Sequence, residues 1–299
     1  MKIIIIGSKG FIGQHLLAFY RKSEGVETWG CDIYNDSEDS KYILIDISNS
    51  DFESIFRNNE FDVCINCSGA ASVPDSLKNP SRDFYLNTVN VFNLLNNIRV
   101  FCSKCKFINL SSAAVYGNPK DLPIKESSSL APMSPYGYNK IMAENICKEF
   151  KDFYNIQTCT LRIFSAYGNS LKKQIFWDVF KKSKNNSSIE LFGTGQETRD
   201  FIHISDIIQV IDSIIKKSDF SIDYYNIGNG KEITIREAVE ILLDNLNWKG
   251  KLRFSGNNRM GDPNYWCADI KKIKDLGYIQ KTTIQDGLKE YCEWIKELE

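Results

Sequence analysis

Short apolar runs alternate with longer amphipathic stretches over the first half of the chain. The runs have the length of buried strands and occur at residues 2–6, 26–32, 42–45, 63–66, 106–110 and 157–162. Apolar side chains at helical spacing indicate helices at residues 11–21, from Asn79-Pro80 to about residue 99, and at residues 136–154. Strands that alternate with helices predict an α/β fold with a doubly wound parallel sheet.

The pattern becomes less regular after about residue 165. Helices are indicated at residues 204–217, 235–245 and 283–298, with glycine-containing loops between them. The sequence contains no repeat, low-complexity tract or long linker that would separate the two halves. We therefore expect residues 1–165 to form the domain with the main sheet. Residues 166–299 are expected to form a smaller C-terminal α/β domain, with some exchange of chain between the two.

The composition is that of an ordinary globular protein. Hydrophobic residues make up 42% of the 299 positions and charged residues 25%, and the net charge is −1. With so little net charge, no basic field is available to attract a nucleic acid or an anionic membrane surface. The apolar run at residues 3–6 is too short for a membrane span or a signal peptide, so we expect a cytoplasmic protein.

The nine cysteines include two pairs with the spacing of metal ligands, Cys64 with Cys67 and Cys102 with Cys105. Four thiolates would suit a structural zinc ion. However, residues 61–66 have the pattern of a buried strand, in which side chains three positions apart point to opposite faces. The cysteines are more simply explained as buried free thiols in a reducing compartment, and we expect no metal site.

A glycine-rich segment, Gly7-Ser-Lys-Gly10-Phe11-Ile12-Gly13, joins the first predicted strand to the first predicted helix. Glycines let the backbone turn tightly and approach a pyrophosphate closely, and the N–H groups at a helix start favour negative charge. The alternative is a purely structural turn between strand and helix. The position of the segment favours a dinucleotide site on a Rossmann-type sheet, although its GxxGxxG spacing differs from the GxGxxG of most dehydrogenases.

Asp32 ends the second predicted strand, roughly 20 residues after Gly13. A carboxylate at this position can accept hydrogen bonds from the adenosine ribose hydroxyls and would repel a 2′-phosphate. The residue therefore favours NAD over NADP as the cofactor. The alternative is a solvated aspartate in a loop.

Tyr136 and Lys140 lie four residues apart at the start of a predicted helix, so that both side chains can reach one site. A nearby ammonium group stabilises a phenolate, and we expect it to lower the pKa of Tyr136 from about 10 towards neutrality, as a general base requires. Ser112 follows the fifth predicted strand, at the sheet edge where ligands bind in such folds. The alternative is an amphipathic helix with a packed tyrosine and a solvated lysine. Tyr138 is a competing candidate for the general base, but no lysine lies four residues after it.

These motifs together resemble the extended short-chain dehydrogenase/reductases of the NAD-dependent epimerase/dehydratase family, over nearly the whole chain. The resemblance implies a nucleotide-sugar enzyme with Ser112, Tyr136 and Lys140 as catalytic residues, the last two also against the cofactor. It further implies cofactor contacts from the Asn87-Thr-Val-Asn-Val segment, the Asp46-Ile47 pair and the Ser68-Gly-Ala70-Ala loop. Residues 1–165 then become the NAD-binding domain.

In the second half, Thr198-Arg199-Asp-Phe and Arg259-Met-Gly-Asp262 resemble two family segments that bind the nucleotide diphosphate. The resemblance implies phosphate contacts from both arginines and a ribose contact from Asp262. Trp266 matches a position that gates the substituent on carbon 2 of the sugar. Ser165 stands where the family usually has an asparagine; it and Ser72 are the remaining expected substrate contacts. Seen alone, each arginine is better explained by a surface salt bridge.

The residues next to Ser112 narrow the expected reaction. Ala113 and Ala114 occupy the positions where the family's dehydratases resemble one another in carrying acidic groups, and an alanine transfers no proton. We expect a 4-epimerase that works through a transient 4-keto sugar, with UDP-hexose as the first expected substrate, because Asp32 favours NAD. The alternative is a 4-keto-6-deoxysugar reductase that uses NAD(P)H. A non-catalytic dinucleotide-binding protein is a third reading. The family also implies a homodimer built from the Tyr136 helix and the helix before the fifth strand.

Overall fold

The computed structural model describes residues 1–46, 52–257, 259 and 261–298. In chain order its strands are β1 (Lys2–Ile6), β2 (Glu27–Asp32), β3 (Tyr42–Leu44), β4 (Val63–Asn66), β5 (Lys106–Ser112), β6 (Thr158–Ile163), β7 (Ser165–Tyr167), β8 (Ser188–Leu191), β9 (Thr198–Arg199), β10 (Phe201–His203), β11 (Tyr224–Ile227), β12 (Ile233–Thr234) and β13 (Lys251–Phe254). Its α-helices are α1 (Phe11–Arg21), α2 (Glu53–Arg57), α3 (Val73–Lys78), α4 (Pro80–Phe84), α5 (Asn90–Phe101), α6 (Pro135–Tyr154), α7 (Gln174–Asn185), α8 (Ile204–Lys217), α9 (Ile235–Asn245), α10 (Lys271–Asp275) and α11 (Ile284–Lys296).

Seven strands form the central sheet in the order β11-β6-β5-β4-β1-β2-β3. Every neighbouring pair in this sheet is parallel. The chain starts near the middle and builds outwards first to one edge and then to the other, which is the doubly wound arrangement. The prediction of a Rossmann-type α/β fold is confirmed.

The central strands are apolar on both faces because helices cover both sides of the sheet. Ile3 and Ile5 pack with α1 and α8 on one side, whereas Ile4 and Ile6 pack with α5 and α6 on the other. All four isoleucine side chains are inaccessible to solvent. This double burial explains why β1 has a continuous apolar sequence instead of an alternating one.

The second half of the chain contributes to both parts of the molecule. Helix α8 packs against α1, and β11 extends the central sheet beyond β6. A separate apolar cluster joins α7, α9 and α11 beside three small two-stranded sheets. The division into residues 1–165 and 166–299 stays a prediction, and α8 with β11 lies on the sheet of the first half.

One predicted helix differs from the structure. The expected continuous helix from Asn79-Pro80 to residue 99 is instead α4, a π-helical turn at Tyr85–Val89, and α5. Helix α3, which precedes it, was not predicted. Across the part of the chain that the structure describes, every helix is too short or too polar to span a bilayer.

Candidate active site

The glycine loop connects β1 to α1 by a close approach of backbone to backbone. Gly7 has a φ of +79°, and a Cβ added to Gly13 would lie 2.1 Å from the carbonyl oxygen of Gly7. Gly10 is the N-cap of α1 and makes no side-chain hydrogen bond, and the first N–H groups of a helix have no acceptor within it. The loop therefore has the shape and the donors that a pyrophosphate requires.

Asp32 is held at the end of β2 by backbone donors. Its Oδ2 accepts from the N–H of Lys9 at 2.8 Å and its Oδ1 from the N–H of Ile33 at 2.7 Å. These bonds place the carboxylate beside the glycine loop, as the prediction of a ribose contact requires. Asp46 lies just beyond β3, at the same carboxyl end of the parallel sheet as Asp32. Ile47 lies outside the described residues.

The loop after β4 lies directly opposite the glycine loop. A Cβ on Gly7 would be 2.6 Å from the backbone nitrogen of Ser68, whose hydroxyl donates to Asn66. Asn87 donates to the carbonyl oxygen of Ala70 at 3.1 Å, while its own Oδ1 is buried and has no hydrogen-bond partner among the described residues. The two loops approach too closely for a side chain on Gly7, and the buried Asn87 Oδ1 lacks a donor in the described part of the chain. Both features fit a bound dinucleotide.

Ser112, Tyr136 and Lys140 converge at the carboxyl end of β5. Helix α6 begins one residue before Tyr136, where the Ser134 hydroxyl caps it by accepting from Gly137 N–H at 3.2 Å. The Ser112 hydroxyl lies near the Tyr136 side chain, close enough to favour its phenolate. The Lys140 Nζ lies 5.7 Å from the centre of the Tyr136 ring and donates to the carbonyl oxygen of Leu110 at 2.9 Å. The structure thus brings the three predicted catalytic residues together.

The expected low pKa of Tyr136 is wrong for the protein alone. Burial raises the pKa of Tyr136 to about 12, the nearby Ser112 hydroxyl acts in the opposite direction, and the charge of Asp83 raises the pKa further. Burial lowers the pKa of Lys140 to about 8. Lys140 therefore does not by itself produce a phenolate at neutral pH, because desolvation of Tyr136 is the larger effect.

Arg199 and Trp266, from the second half of the chain, lie beside the segment that follows Ser112. The Arg199 guanidinium lies 5.7 Å from the centre of the Trp266 ring, and the indole N–H donates to the carbonyl oxygen of Gly117 at 3.0 Å. Gly117 ends the segment that begins at Ser112, so Trp266 links the catalytic segment to the C-terminal half. Phe164 supports the indole with an edge-to-face contact at 5.9 Å.

Arg259 and Asp262 pair with each other at 2.9 Å. Burial lowers the pKa of Arg199, the Asp262 carboxylate raises it and the Arg259 guanidinium lowers it, so both charges act on Arg199. Between them, a Cβ on Gly261 would be 3.9 Å from the Ser134 side chain, at the start of α6. The expected phosphate-binding residues are thus grouped near the tyrosine helix, and Arg259 is partly neutralised by Asp262.

The two serines expected at the substrate have other local roles. The hydroxyl of Ser72 caps α3 by accepting from the N–H of Asp75 at 3.2 Å. Ser165 begins β7, and its N–H donates to the carbonyl oxygen of Asp200. Both are only partly buried. Their contact with substrate stays a prediction.

A buried ion pair behind the predicted catalytic residues was not expected from the sequence. Arg162 on β6 binds Glu144 on α6 at 2.7 Å, and both side chains are at most 3% exposed. Ser111 donates to the same carboxylate at 2.6 Å, and Arg162 donates to the hydroxyl of Tyr116 at 2.9 Å. Glu144 follows Lys140 by one helical turn, but its partner Arg162 lies on another element, so the spacing along the sequence does not reveal the pair.

A doubly wound parallel sheet that brings a glycine loop towards a tyrosine–lysine pair is the architecture of the extended short-chain dehydrogenase/reductases, and this chain has it. Within that class, the chain belongs to the NAD dependent epimerase/dehydratase family, whose model matches residues 3–228. The predictions of this family and of NAD as its cofactor are confirmed.

Known proteins of similar sequence and structure share this architecture. The chain is 29% identical to the UDP-glucuronate 4-epimerase of Thermodesulfobacterium geofontis, over 98% of this chain and 96% of that protein. Its structure is similar to that of the Bacillus cereus UDP-glucuronic acid 4-epimerase in complex with UDP-glucuronic acid and NAD, with a TM-score of 0.91, 26% identity and complete coverage of both chains. A UDP-N-acetylglucosamine 4-epimerase of Methanobrevibacter ruminantium shares the fold, with a TM-score of 0.88, 24% identity and coverage of 100% and 99%.

Proposed function

We propose that this protein is an NAD-dependent nucleotide-sugar 4-epimerase that acts through a transient 4-keto sugar. The observation that carries the proposal is the pair of alanines after Ser112. Ala113 and Ala114 border the catalytic serine and hold no proton-transfer group, so this segment supplies no acid/base besides Tyr136. A 4-epimerase needs only one such group, whereas elimination of water needs more.

Each residue of the site has a separate role in the proposed reaction. Bound NAD supplies the acceptance and return of a hydride at carbon 4 of the sugar. The Tyr136 oxygen removes the proton of the 4-hydroxyl group and later returns it. The Ser112 hydroxyl, which lies near Tyr136, orients the reacting oxygen. Lys140 and the positive nicotinamide ring together favour the phenolate, which Lys140 alone does not.

A second acid/base from a neighbouring cysteine is disfavoured. The Cys67 thiol lies near Lys140, and burial raises its pKa well above the usual range. It therefore stays a neutral thiol at physiological pH. This supports a site with a single proton carrier.

The nucleotide-sugar is proposed to bind across both halves of the chain. Arg199 and Arg259 would hold the diphosphate, Asp262 a ribose, and Trp266 would border the sugar. The relatives are named for UDP-glucuronate and UDP-N-acetylglucosamine, which makes UDP the first nucleotide to test. UDP-hexoses remain the first proposed substrates. UDP-hexuronates are the second, because relatives are named for UDP-glucuronate.

The test is interconversion without added cofactor. Purified protein is incubated with UDP-glucose, UDP-galactose, UDP-glucuronate and the N-acetylated UDP-hexosamines, and products are separated by chromatography. We expect one C4 pair to interconvert with no net formation of NADH. Tyr136→Phe should lower the rate by at least about 100-fold while NAD stays bound. Tyr138→Phe, an exposed tyrosine on the same helix, is the matched control and should keep full activity.

The ketoreductase alternative gives a different result in the same assay. No UDP-sugar pair would interconvert, and a 4-keto-6-deoxysugar nucleotide would be reduced when NADH or NADPH is added. That outcome would replace the epimerase proposal. Full activity of Tyr136→Phe would contradict both reactions, since both depend on Tyr136.

We also propose that the protein forms a homodimer through α5 and α6. Phe92 on α5 and Met142 on α6 expose apolar side chains on neighbouring helices that pack against each other. Sedimentation should show a species of twice the 34.3 kDa chain mass, and Phe92→Lys with Met142→Lys should convert it to a monomer. A wild-type monomer at micromolar concentration would contradict the dimer.

A further inference from the structure

Asp200, which directly follows Arg199, carries a carboxylate that is inaccessible to solvent. Its Oδ1 accepts from the backbone N–H of Asn229 at 2.7 Å, and its Oδ2 accepts from those of Gly230 at 2.8 Å and Ala268 at 2.9 Å. A buried charge is costly unless hydrogen bonds satisfy it, and bonds to an ionised acceptor are the stronger ones. The carboxylate therefore holds together segments that are far apart in sequence.

The three donors come from two different parts of the fold. Asn229 and Gly230 follow β11, the edge strand of the central sheet. Ala268 lies two residues after Trp266, in the C-terminal half. Asp200 thus links the end of the central sheet to the segment that carries Trp266.

The space around this carboxylate leaves no room for a further side chain. A Cβ added to Gly228 would lie 2.8 Å from Asp200 Oδ2 and 2.9 Å from the Cβ of Ala268. The φ of Gly228 is outside the left-handed region, so the backbone conformation does not require a glycine there. Close packing against Asp200 and Ala268 accounts for this glycine.

The segment at residues 266–268 borders the residues proposed to bind the substrate. The indole N–H of Trp266 donates to the carbonyl oxygen of Gly117 at 3.0 Å, and the Arg199 guanidinium lies 5.7 Å from the centre of the indole ring. Arg199 is bonded covalently to Asp200, and the Trp266 segment is tied to it by a hydrogen bond. One buried carboxylate therefore sets the backbone positions of both residues relative to the sheet.

We propose that Asp200 is a positioning residue that holds Arg199 and Trp266 in the arrangement that binds the substrate. The carboxylate is inaccessible, so it acts through these two residues and touches no ligand. This role rests on the proposed function, in which Arg199 and Trp266 contact the nucleotide sugar.

The charge state of Asp200 supports this role. Burial raises the pKa of Asp200 to about 6, while the N–H groups of Ala268, Asn229 and Gly230 act against the rise. The carboxylate therefore predominates at pH 7.5. An asparagine has one acceptor oxygen and an NH₂ group that accepts no hydrogen bond. Asp200→Asn thus removes the charge and at least one of the three backbone hydrogen bonds at nearly the same side-chain size.

The first measurement follows Trp266 in the free protein. Tryptophan is labelled with ¹⁵N, and Trp266→Phe assigns the Trp266 indole signal among those of the five tryptophans. In Asp200→Asn this signal should move, and its N–H should exchange with solvent at least about tenfold faster, because the bond to Gly117 opens more often. The remaining indole signals are internal controls and should stay in place.

Two further variants separate positioning from stability. Gly228→Ala keeps the charge of Asp200 but crowds the carboxylate, and it should move the Trp266 signal in the same way. Asp206→Asn is the matched control, because Asp206 is also inaccessible and accepts backbone N–H groups, from Lys281 and Thr282 at 3.2 Å. It should lower thermal stability without moving the Trp266 signal.

The second measurement is calorimetric titration with UDP, dTDP, CDP and GDP. For the nucleoside diphosphate that binds the wild type most tightly, Asp200→Asn should raise the Kd at least about tenfold, as the loss of one charge-assisted hydrogen bond to the diphosphate does. The Kd for NAD should stay within about threefold. In turnover, KM should rise while kcat at saturation changes less than about threefold. A purely structural role would lower thermal stability and leave the Trp266 signal and both Kd values of the folded protein unchanged.

A Trp266 signal at its wild-type position in Asp200→Asn overturns the inference, as does the same result in Gly228→Ala where Asp200→Asn does not fold. A moved signal with an unchanged Kd for the nucleoside diphosphate also overturns it. A moved signal supports the positioning of Trp266 even if no nucleoside diphosphate binds the wild type, an outcome that would contradict only the proposed function.

Discussion

Gly13→Ala tests whether the glycine loop holds the cofactor. The added Cβ would lie 2.1 Å from the Gly7 carbonyl oxygen and 2.9 Å from the Ser8 Cα, both of them backbone atoms that no rotamer change can move. Ordinary contacts begin near 3.4 Å, so the start of α1 and the loop must separate by about 1 Å. We expect the overpacking to cost about 1–3 kcal/mol of folding free energy.

The effect on cofactor affinity should be larger than the effect on stability. A shift of about 1 Å takes the N–H groups of the helix start out of hydrogen-bond range of a pyrophosphate. Hydrogen bonds to a charged group contribute about 1.5–3 kcal/mol each, so the loss of two weakens binding by about 3–6 kcal/mol. This corresponds to a Kd for NAD at least about 100-fold higher.

The assay is calorimetric titration of the cofactor-free protein with NAD, alongside thermal unfolding. Gly25→Ala is the matched control, because Gly25 also has a positive φ of +71° but a Cβ there meets nothing within 4 Å. It should cost about 1 kcal/mol of stability and leave the Kd unchanged. A Gly13→Ala protein that folds and binds NAD within threefold of the wild type would refute the proposed role of the loop.

Three further predictions follow from buried groups. Glu144→Gln leaves the Arg162 guanidinium without its counter-charge and should cost about 3–5 kcal/mol in urea unfolding; a loss under 1 kcal/mol would contradict the pairing. Burial lowers the pKa of His203 to about 4, so the fold favours the neutral ring and stability is lost as pH falls from 6.5 to 4. That loss, about 3 kcal/mol, should be absent in His203→Gln, and equal pH curves for the two proteins would count against it. Addition of NAD should lower the pKa of Tyr136 by at least about one pH unit in ultraviolet difference titration, a change that Tyr136→Phe should not show.

The fold was predictable where local pattern and burial agree. The helix at residues 204–217 was predicted at its observed limits because isoleucines at helical spacing fill its buried face. The strand at residues 63–66 was also predicted correctly, since four consecutive buried side chains fit a strand covered on both faces. Helix α3 was missed because its six residues, with a proline and two polar caps, show no apolar periodicity. Strand β11 was missed because its four residues form too short a run to indicate a strand. Its pairing with β6 joins distant parts of the chain, which the local pattern does not show.

The site was predictable where a motif is local in sequence. Tyr136 and Lys140 are one helical turn apart, and their approach to Ser112 follows from the parallel sheet. The contacts of Asp83 with Asn139 and of Glu144 with Arg162 join separate elements, so spacing alone does not show them. The pKa of Tyr136 was predicted in the wrong direction because its burial depends on the packing of the whole domain.

In the proposed reaction, the hydride taken from carbon 4 returns to the same carbon, with Tyr136 as the proton carrier. The most direct test uses a UDP-sugar carrying deuterium at carbon 4, chosen as the substrate that interconverts in the panel above. We expect that the epimeric product keeps the deuterium at carbon 4, in H₂O and without added cofactor, and that Tyr136→Phe forms no product. Loss of the deuterium to solvent, or product formation by Tyr136→Phe, would contradict it.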